Sequence, residues 1–533
     1  MGKIATIMEA GIAGLINALE FRKHQSSPQN ASISPEHLQF ENKKSFRAFI
    51  TGEKQNKNYL YVILLLGCLQ FIFFKLLYPF PDFISDSYSY IDTNLYQMDV
   101  NLWPVGYSKY LRLIHFITPS ATFLVFTQFI ILQISLTYFF YSILYLFDLS
   151  KMYANILFAF LFFNPLFFYL ANCVLSDAIF CTISLVLFTQ YLWMFYRPKP
   201  LYIFSTALLI GFAFTLRYTA IFYPLIGTMT FMLSRQPVKS KILGIISPLF
   251  LIIPFVLYTQ QKTKQKTGTS EFSVFGGWQL VNNALYMYDH ITVDQAKLPA
   301  EMKELDNDTK DYFKRIPPFM RDLDPFPGTF FIKQPTAILK PYLLKKYTFT
   351  DPPSQFEAWG KVSPLYKKYG MYLIKNHPIP FIKYYILLNV GNYFFPHLEK
   401  FNSYNLNMDT TWDDAKVWFH WDSNAVTSPP RTFQEHIFFF YPIIFMMANA
   451  YFSIIFFSYI IGKRKQIGNK FLSAAVILAC ITLFLNFCFS VFATPVVLRY
   501  QIFPLILLVT FSFILTDHLD RFKKDKHLVL IKP

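Results

Sequence analysis

Long apolar runs without a charged residue are the feature that most constrains this chain. Residues 119–147 contain no Asp, Glu, Lys or Arg, and similar runs recur along the sequence. Apolar residues make up 54% of the 533 positions, and 63 of them are Phe, which is more than a soluble core can bury. About 20 helical residues cross a bilayer, so the sequence predicts an all-α polytopic membrane protein.

The apolar runs predict ten transmembrane helices. They cover residues 59–80, 119–147, 152–173, 177–196, 201–216, 218–234, 242–259, 436–461, 471–493 and 498–516. The first seven form an N-terminal transmembrane module, 59–259, and the last three form a C-terminal group, 436–516. Residues 379–395 are also apolar, but they contain Pro380 and Lys383, so we expect an interfacial helix there.

Basic residues in the short loops predict the orientation. They are Arg197, Lys199, Arg235, Lys239, Lys241, Lys463, Arg464, Lys465, Lys470, Arg521, Lys523, Lys524 and Lys526, all on one side of the ten-span arrangement. By the positive-inside rule that side is the cytoplasm, with the N-terminal extension 1–58 and the basic tail 517–533. The first loop, 81–118, and the segment 260–435 then face outward, and the latter is large enough for a small domain. The net charge of +17 is explained by contact with anionic membrane lipid, so we expect no nucleic-acid partner.

Four polar features fall at the outward ends of the spans. Asp82 and Asp86 follow the first span in FPDFISDSYSYI, and a helix there would carry both on one face, although either could instead cap a helix. Asp177 begins the fourth span, where an N-cap is the alternative. Arg217 and Arg499 lie at two further outer ends, and for Arg217 a snorkelling side chain is the alternative interpretation. Carboxylates can deprotonate a nucleophile, and guanidinium groups can bind a departing phosphate.

The chain resembles the multi-spanning GT-C glycosyltransferases, which include protein O-mannosyltransferases, aminoarabinose transferases and many bacterial relatives. The similar segments are DSYSYI at 86–91, WPVGY at 103–107, LSDAIF at 175–180, LRYTA at 216–220, KNHPIPFI at 375–382 and LRYQIFP at 498–504. They occur in the family's order and on the expected side of the membrane. The resemblance extends in topology over residues 59–516.

This resemblance implies a glycosyltransferase of GT-C type in the bacterial inner membrane, with both termini cytoplasmic. Its donor would be a sugar on polyprenyl phosphate, and its acceptor a lipid, glycan or protein on the outer face. Asp86 matches the signature carboxylate as base or metal ligand, and Asp177 matches the second acidic position. A divalent metal held by these two residues is left open, because Ser87 stands where many members have a second acid. The residues expected at the donor phosphate and sugar are Tyr90, Arg217, Tyr218, Arg499 and Tyr500.

Sugar recognition is expected in FGGWQLVNNALYMYDH, residues 275–290. Trp278 can stack on a pyranose and Asn282 can bond its hydroxyls, although an aromatic interface belt is the alternative. Two other functions remain open: an oligosaccharide polymerase or ligase, which normally has basic loops, and a lipid-linked sugar transporter or flippase. A transporter would place ionisable residues near the bilayer midplane, whereas these spans are nearly free of charge.

Overall fold

The computed structural model describes residues 44–316, 328–430, 432–463, 470–493 and 495–531. These ranges are helical, with isolated β-bridges but no named strand among them. The chain divides after Glu53 into two compact units. In the first unit the described residues form helix α1 (Phe46–Gly52), and the Ser45 hydroxyl caps it by accepting a hydrogen bond from the Ala48 N–H. Most of the predicted extension 1–58, and with it residues 1–43, lies outside the described ranges.

The second unit contains the other helices of the described residues. Its first half comprises α2 (Lys54–Leu77), α3 (Ser85–Leu95), α4 (Gly106–Ile117), α5 (Ala121–Phe147), α6 (Lys151–Phe162), α7 (Leu166–Asn172), α8 (Asp177–Tyr196), α9 (Leu201–Leu216), α10 (Tyr223–Leu233), α11 (Val238–Ile246) and α12 (Leu249–Thr267). Its second half comprises α13 (Phe275–Leu285), α14 (Ala300–Arg315), α15 (Phe330–Lys333), α16 (Leu339–Lys346), α17 (Pro352–Asn376), α18 (Pro378–Phe381), α19 (Leu387–Phe394), α20 (Asp413–Phe419), α21 (Thr432–Phe438), α22 (Tyr441–Lys463), α23 (Lys470–Phe492) and α24 (Ile502–Ile531).

Eight stretches of the described residues are long and apolar enough to cross a membrane. They are Lys54–Leu77, Ala121–Phe147, Lys151–Asn172, Asp177–Tyr196, Val238–Thr267, Thr432–Gly462, Lys470–Phe492 and Leu498–Phe522. The prediction of an all-helical chain with many membrane helices is therefore confirmed. The predicted fifth and sixth spans correspond to two shorter apolar helices, Leu201–Leu216 and Tyr218–Leu233, which do not meet that length.

The order of the helices brings several of their ends together. Leu77, Asn172, Leu216 and Phe492 end four of the apolar stretches, and Asp177 begins another, all at what we call the site end of the bundle. The long polar segments of the chain emerge at this end. Short connections, including the one with Arg197 and Lys199, join the helices at the opposite end. Which end faces the cytoplasm stays a prediction.

The segment between α12 and α21 has a hydrophobic core of its own. Trp278 on α13 stacks on Trp359 of α17, with ring centroids 3.8 Å apart, and its indole N–H donates to the Trp359 carbonyl at 3.2 Å. The two helices pack closely because Gly277 and Gly370 lie in their contact. A Cβ on Gly277 would lie 2.1 Å from the Ser363 carbonyl oxygen, so only glycine permits this approach.

Residues 378–394 form α18, a π-helical turn (Ile382–Ile386) and α19. This segment is not among the stretches that could cross a membrane. One face is exposed, with Ile379 70% and Leu387 58% accessible, while Tyr385 and Asn389 are buried. Tyr393 packs edge-on against Phe487 of α23, at 4.9 Å between ring centroids. An apolar helix with one exposed face is typical of a membrane interface.

Candidate functional site

A cluster of buried ions lies at the site end. The Arg217 guanidinium donates to Asp177, and Arg499 contacts Asp177 and Asp86 with N–O distances of 3.3 Å each. A third nitrogen–oxygen pair joins Arg499 to Glu399 at 3.9 Å. The side chains of Asp177, Arg499 and Glu399 are 4–6% exposed, whereas that of Asp86 is 25% exposed. Asp86 is therefore the carboxylate of this cluster that a substrate can best reach.

Local backbone structure explains why these groups meet. Asp86 and Asp177 lie in the first turns of α3 and α8, where the helix dipole favours a carboxylate. Arg217 is the extended residue that ends α9, and Arg499 lies in the short 3₁₀ turn before α24. Glu399 has a φ of 53°, which is uncommon for a residue with a side chain. Its contacts with Lys333 and Arg499 hold that conformation.

Two tyrosines complete the cluster. The Tyr500 ring lies between the guanidinium groups, with its centroid 4.0 Å from the Arg217 Cζ and 4.5 Å from the Arg499 Cζ. These contacts fix two like charges close together through the ring's negative faces. Tyr90 is buried, and its hydroxyl lies 3.2 Å from the Ser176 Oγ. The sequence Arg499-Tyr500 thus supplies both a cation and the ring that separates it from Arg217.

Two cavities meet at this cluster. One, which we call the apolar cavity, has a volume of about 280 Å³ and lies between the ends of α9, α23 and the final helix. Its walls include Leu175, Leu216, Ile221, Phe272 and Phe489, with Asp177 and Arg217 at one side. Ile221 is 59% exposed, so this cavity reaches the outer surface of the bundle.

The other, which we call the lysine cavity, has a volume of about 490 Å³ and is bordered by Lys333, Lys340 and Lys400. Both cavities are lined by Asp86, Trp103, Phe275, Pro495, Arg499 and Tyr500. Asp86 is therefore the carboxylate at the junction between an apolar space and a polar one.

Seven of the residues singled out in the sequence line the apolar cavity: Asp86, Tyr90, Asp177, Arg217, Tyr218, Arg499 and Tyr500. Trp278 and Asn282 do not line either cavity, because both are fully buried in the core of the loop segment. The Asn282 side-chain amide donates to the Gly328 carbonyl at 2.8 Å. From the same glycine-containing helix it is Phe275, Gly276 and Gln279 that reach the apolar cavity. The expected stacking of Trp278 on a sugar has no room in this arrangement.

Asp82 also lies apart from both cavities. It precedes α3, which begins at Ser85, so Asp82 and Asp86 do not share a helical face as the spacing suggested. Its carboxylate accepts the Asn405 N–H at 2.8 Å and lies 3.7 Å from the Cys173 Sγ. Burial raises its pKa to about 7. This contact fixes a loop with left-handed backbone at residues 405–407, so the position of Asp82 is structural.

Five charged residues that line the lysine cavity were missed from the sequence: Asp92, Lys333, Lys340, Glu399 and Lys400. Glu399 and Lys400 follow the interfacial helix directly, and an acid–base pair at that border was the available signal. Lys333 and Lys340 come from a segment whose pattern gives no hint of its tertiary position. The Lys400 ammonium donates to the Ser85 Oγ at 2.6 Å, which joins this loop to the start of α3.

The acidic side chains of the site are the residues that could bind a divalent cation. Among the described residues there is no group of three or more His, Cys, Asp or Glu side chains that could hold a metal ion. Asp86 and Asp177 both contact the Arg499 guanidinium, and Asp177 also contacts Arg217, so two arginines balance the two carboxylates. The residues here fit a fixed arginine better than a metal.

Comparisons with protein-family models, with curated proteins and with solved structures found no match for this chain.

Proposed function

We propose that this protein is a membrane glycosyltransferase that moves a sugar from a polyprenyl-phosphate donor to a hydroxyl group of a lipid, glycan or protein acceptor. The observation that carries the proposal is the position of Asp86 between the two cavities. A reaction between a lipid-linked substrate and a water-soluble group needs an apolar and a polar binding space that share one reactive group. The resemblance of the motifs around Asp86, Asp177, Arg217 and Arg499 to GT-C enzymes supports the same reaction.

The apolar cavity suits the donor. Its hydrophobic walls at the exposed edge near Ile221 can take the first isoprene units from the surrounding lipid. Arg217 donates to no described residue except Asp177, so its remaining N–H groups are free to bind a phosphate oxygen. The Arg499 Nε is buried and has no hydrogen-bond partner among the described residues. A phosphate beside these two arginines would satisfy both.

The chemistry then follows from the carboxylate at the junction. Asp86 takes the proton of the acceptor hydroxyl, and the oxygen of that hydroxyl bonds to the anomeric carbon of the sugar. The bond between that carbon and the phosphate oxygen breaks, and the polyprenyl phosphate leaves with one additional negative charge. Arg217 and Arg499 stabilise this charge, and Asp177 holds both arginines in place. By the resemblance, the site end faces outward from a bacterial inner membrane.

The test uses membranes that contain the protein and radiolabelled polyprenyl-phosphate sugars, followed by thin-layer separation. We expect label to leave the donor lipid faster than in membranes with Asp86→Asn. Asp294→Asn is a matched control, since this exposed carboxylate contacts only its chain neighbours among the described residues, Lys297 at 3.4 Å and the Ala296 N–H at 3.0 Å, and lies on neither cavity. Equal loss of label from wild type and Asp86→Asn, for every donor sugar, would overturn the proposal.

A further inference from the structure

The lysine cavity contains more positive charge than its carboxylates balance. The cavity is lined by three carboxylates, Asp86, Asp92 and Glu399, and by four cations. Arg499 and Lys333 are the cations that contact Asp86 and Glu399. Two further ammonium groups lie on the same cavity wall: Lys340 and Lys400.

Neither of these two lysines forms an ion pair with a described carboxylate. Lys340 donates to the Lys333 carbonyl at 2.9 Å and Lys400 to the Ser85 hydroxyl. Burial lowers the pKa of both, and the charge of Lys400 lowers that of Lys340 further. Two half-buried cations that repel each other form a site for an anion, because an anion between them removes that repulsion.

The rest of the cavity suits a sugar. Asp92 and Thr329 line it, and the Asp92 Oδ1 and the Thr329 Oγ1 are buried without a hydrogen-bond partner among the described residues. A carboxylate and a hydroxyl in this situation fit a ligand that carries hydroxyl groups. Trp412 also lines the cavity, stacked on Tyr88 with centroids 4.0 Å apart, and is 49% exposed. An exposed indole face beside polar groups is a platform for a pyranose ring.

We propose that the lysine cavity binds an acceptor glycan that carries a negative charge, with Lys340 and Lys400 on its anionic group. This inference rests on the proposed function, because it assigns the apolar cavity to the donor. Arg217 and Arg499, the residues proposed to bind the donor phosphate, both line the apolar cavity. Lys340 and Lys400 line the lysine cavity and not the apolar one. The acceptor hydroxyl would then reach Asp86 from the lysine side.

The test measures binding to the purified full-length protein in detergent, without any donor. The probes are glucose 6-phosphate, glucuronate and glucose, which share a ring and differ in charge, and thermal unfolding reports binding through mass action. We expect the two anionic sugars to stabilise the wild type more than glucose does. The phosphate and carboxylate probes together identify which anion is preferred.

Substitutions assign the effect to the lysines. Lys340→Gln and Lys400→Gln should each weaken binding of the anionic sugars by roughly tenfold, the usual loss for one charged hydrogen bond. Lys340→Arg and Lys400→Arg should retain most of the binding, and they keep the test valid if a glutamine variant does not fold. Lys297→Gln, at an exposed lysine of the same segment, is the control and should change nothing.

Three results would overturn the inference. Glucose could stabilise the protein as well as the anionic sugars do, or the glutamine variants could bind them unchanged. The glutamine variants could also lose binding of polyprenyl phosphate instead, which would place the donor at the lysines. Failure of the proposed function is a separate result. If anionic sugars bind through the lysines but no labelled donor is turned over, the proposed glycosyl transfer is wrong and the lysine cavity is still an anion-binding site.

Discussion

The two carboxylates that contact Arg499 should respond differently to the same substitution. Asp86→Asn removes a base that is 25% exposed and has one ionic contact, to Arg499 at 3.3 Å. Arg499 keeps its contacts with Asp177 and Glu399 after this change, so it is not left as an uncompensated buried charge. A general base contributes roughly 10²–10⁴-fold to the rate. Asp86→Asn should therefore fold nearly normally and lose at least about a hundredfold in turnover.

Asp177→Asn should instead damage the fold. The Asp177 side chain is 4% exposed and contacts Arg217 and Arg499, so its loss leaves two buried guanidinium groups without their shared partner. Breaking a buried ion pair costs about 3–5 kcal/mol. The expected result is a much lower yield and melting temperature, whatever the effect on turnover.

The assay measures turnover per folded molecule and thermal unfolding on the same detergent-purified samples. Asp294→Asn is the control for the loss of an acidic charge without a change at the cluster. Unchanged turnover per folded molecule in Asp86→Asn would refute its role as base. A stable Asp177→Asn protein would refute the claim that this carboxylate holds the arginines.

Three further predictions concern topology, pH and packing. The first uses Lys303→Cys and Lys199→Cys in a protein whose native cysteines are replaced. If the site end faces outward, an impermeant maleimide should label Lys303→Cys in intact cells and should not label Lys199→Cys. The opposite pattern would reverse the orientation. Burial raises the pKa of Asp82 from 3.8 to about 7, so the folded state binds this proton more tightly than the unfolded state does. The free energy of unfolding should therefore fall as the pH rises between those two values. Asp82→Asn should remove this fall in a series of unfolding curves, and an unchanged pH profile would contradict it. Gly277→Ala should lower the melting temperature strongly, because the added methyl meets a backbone carbonyl at 2.1 Å, whereas Gly276→Ala, with nothing within 4 Å, should not.

The parts predictable from the sequence are those set by local pattern. Hydropathy alone located the membrane helices, because a span is defined by its own residues. Isolated charges at the ends of apolar runs pointed to Asp86, Asp177, Arg217 and Arg499, which the structure brings together. Charged residues within or beside membrane spans are rare, and those that occur usually have a functional role.

The parts that failed depend on contacts between distant segments. Asp82 was grouped with Asp86 by spacing, but the helix starts between them and Asp82 turns toward Cys173 and Asn405 instead. Trp278 looked like a sugar platform, yet Trp359, far along the chain, covers its face. Lys340 and Lys400 meet only because α16 and the loop after α19 fold onto one cavity, and no local pattern encodes that.

Breaks in two membrane helices bear on the transporter alternative, since transporters place their binding sites at such breaks. Pro165 separates α6 from α7 and Pro248 separates α11 from α12, but the residues beside these breaks, Asn164 and Ser247, are neutral. Asn164 accepts hydrogen bonds from the Leu166 N–H and the Tyr441 hydroxyl, so that break is satisfied internally. The fixed charges lie at the site end instead, where the proposed donor phosphate would meet water. Group transfer at that level accounts for their position, whereas a site that moves a substrate through the bilayer would need them deeper.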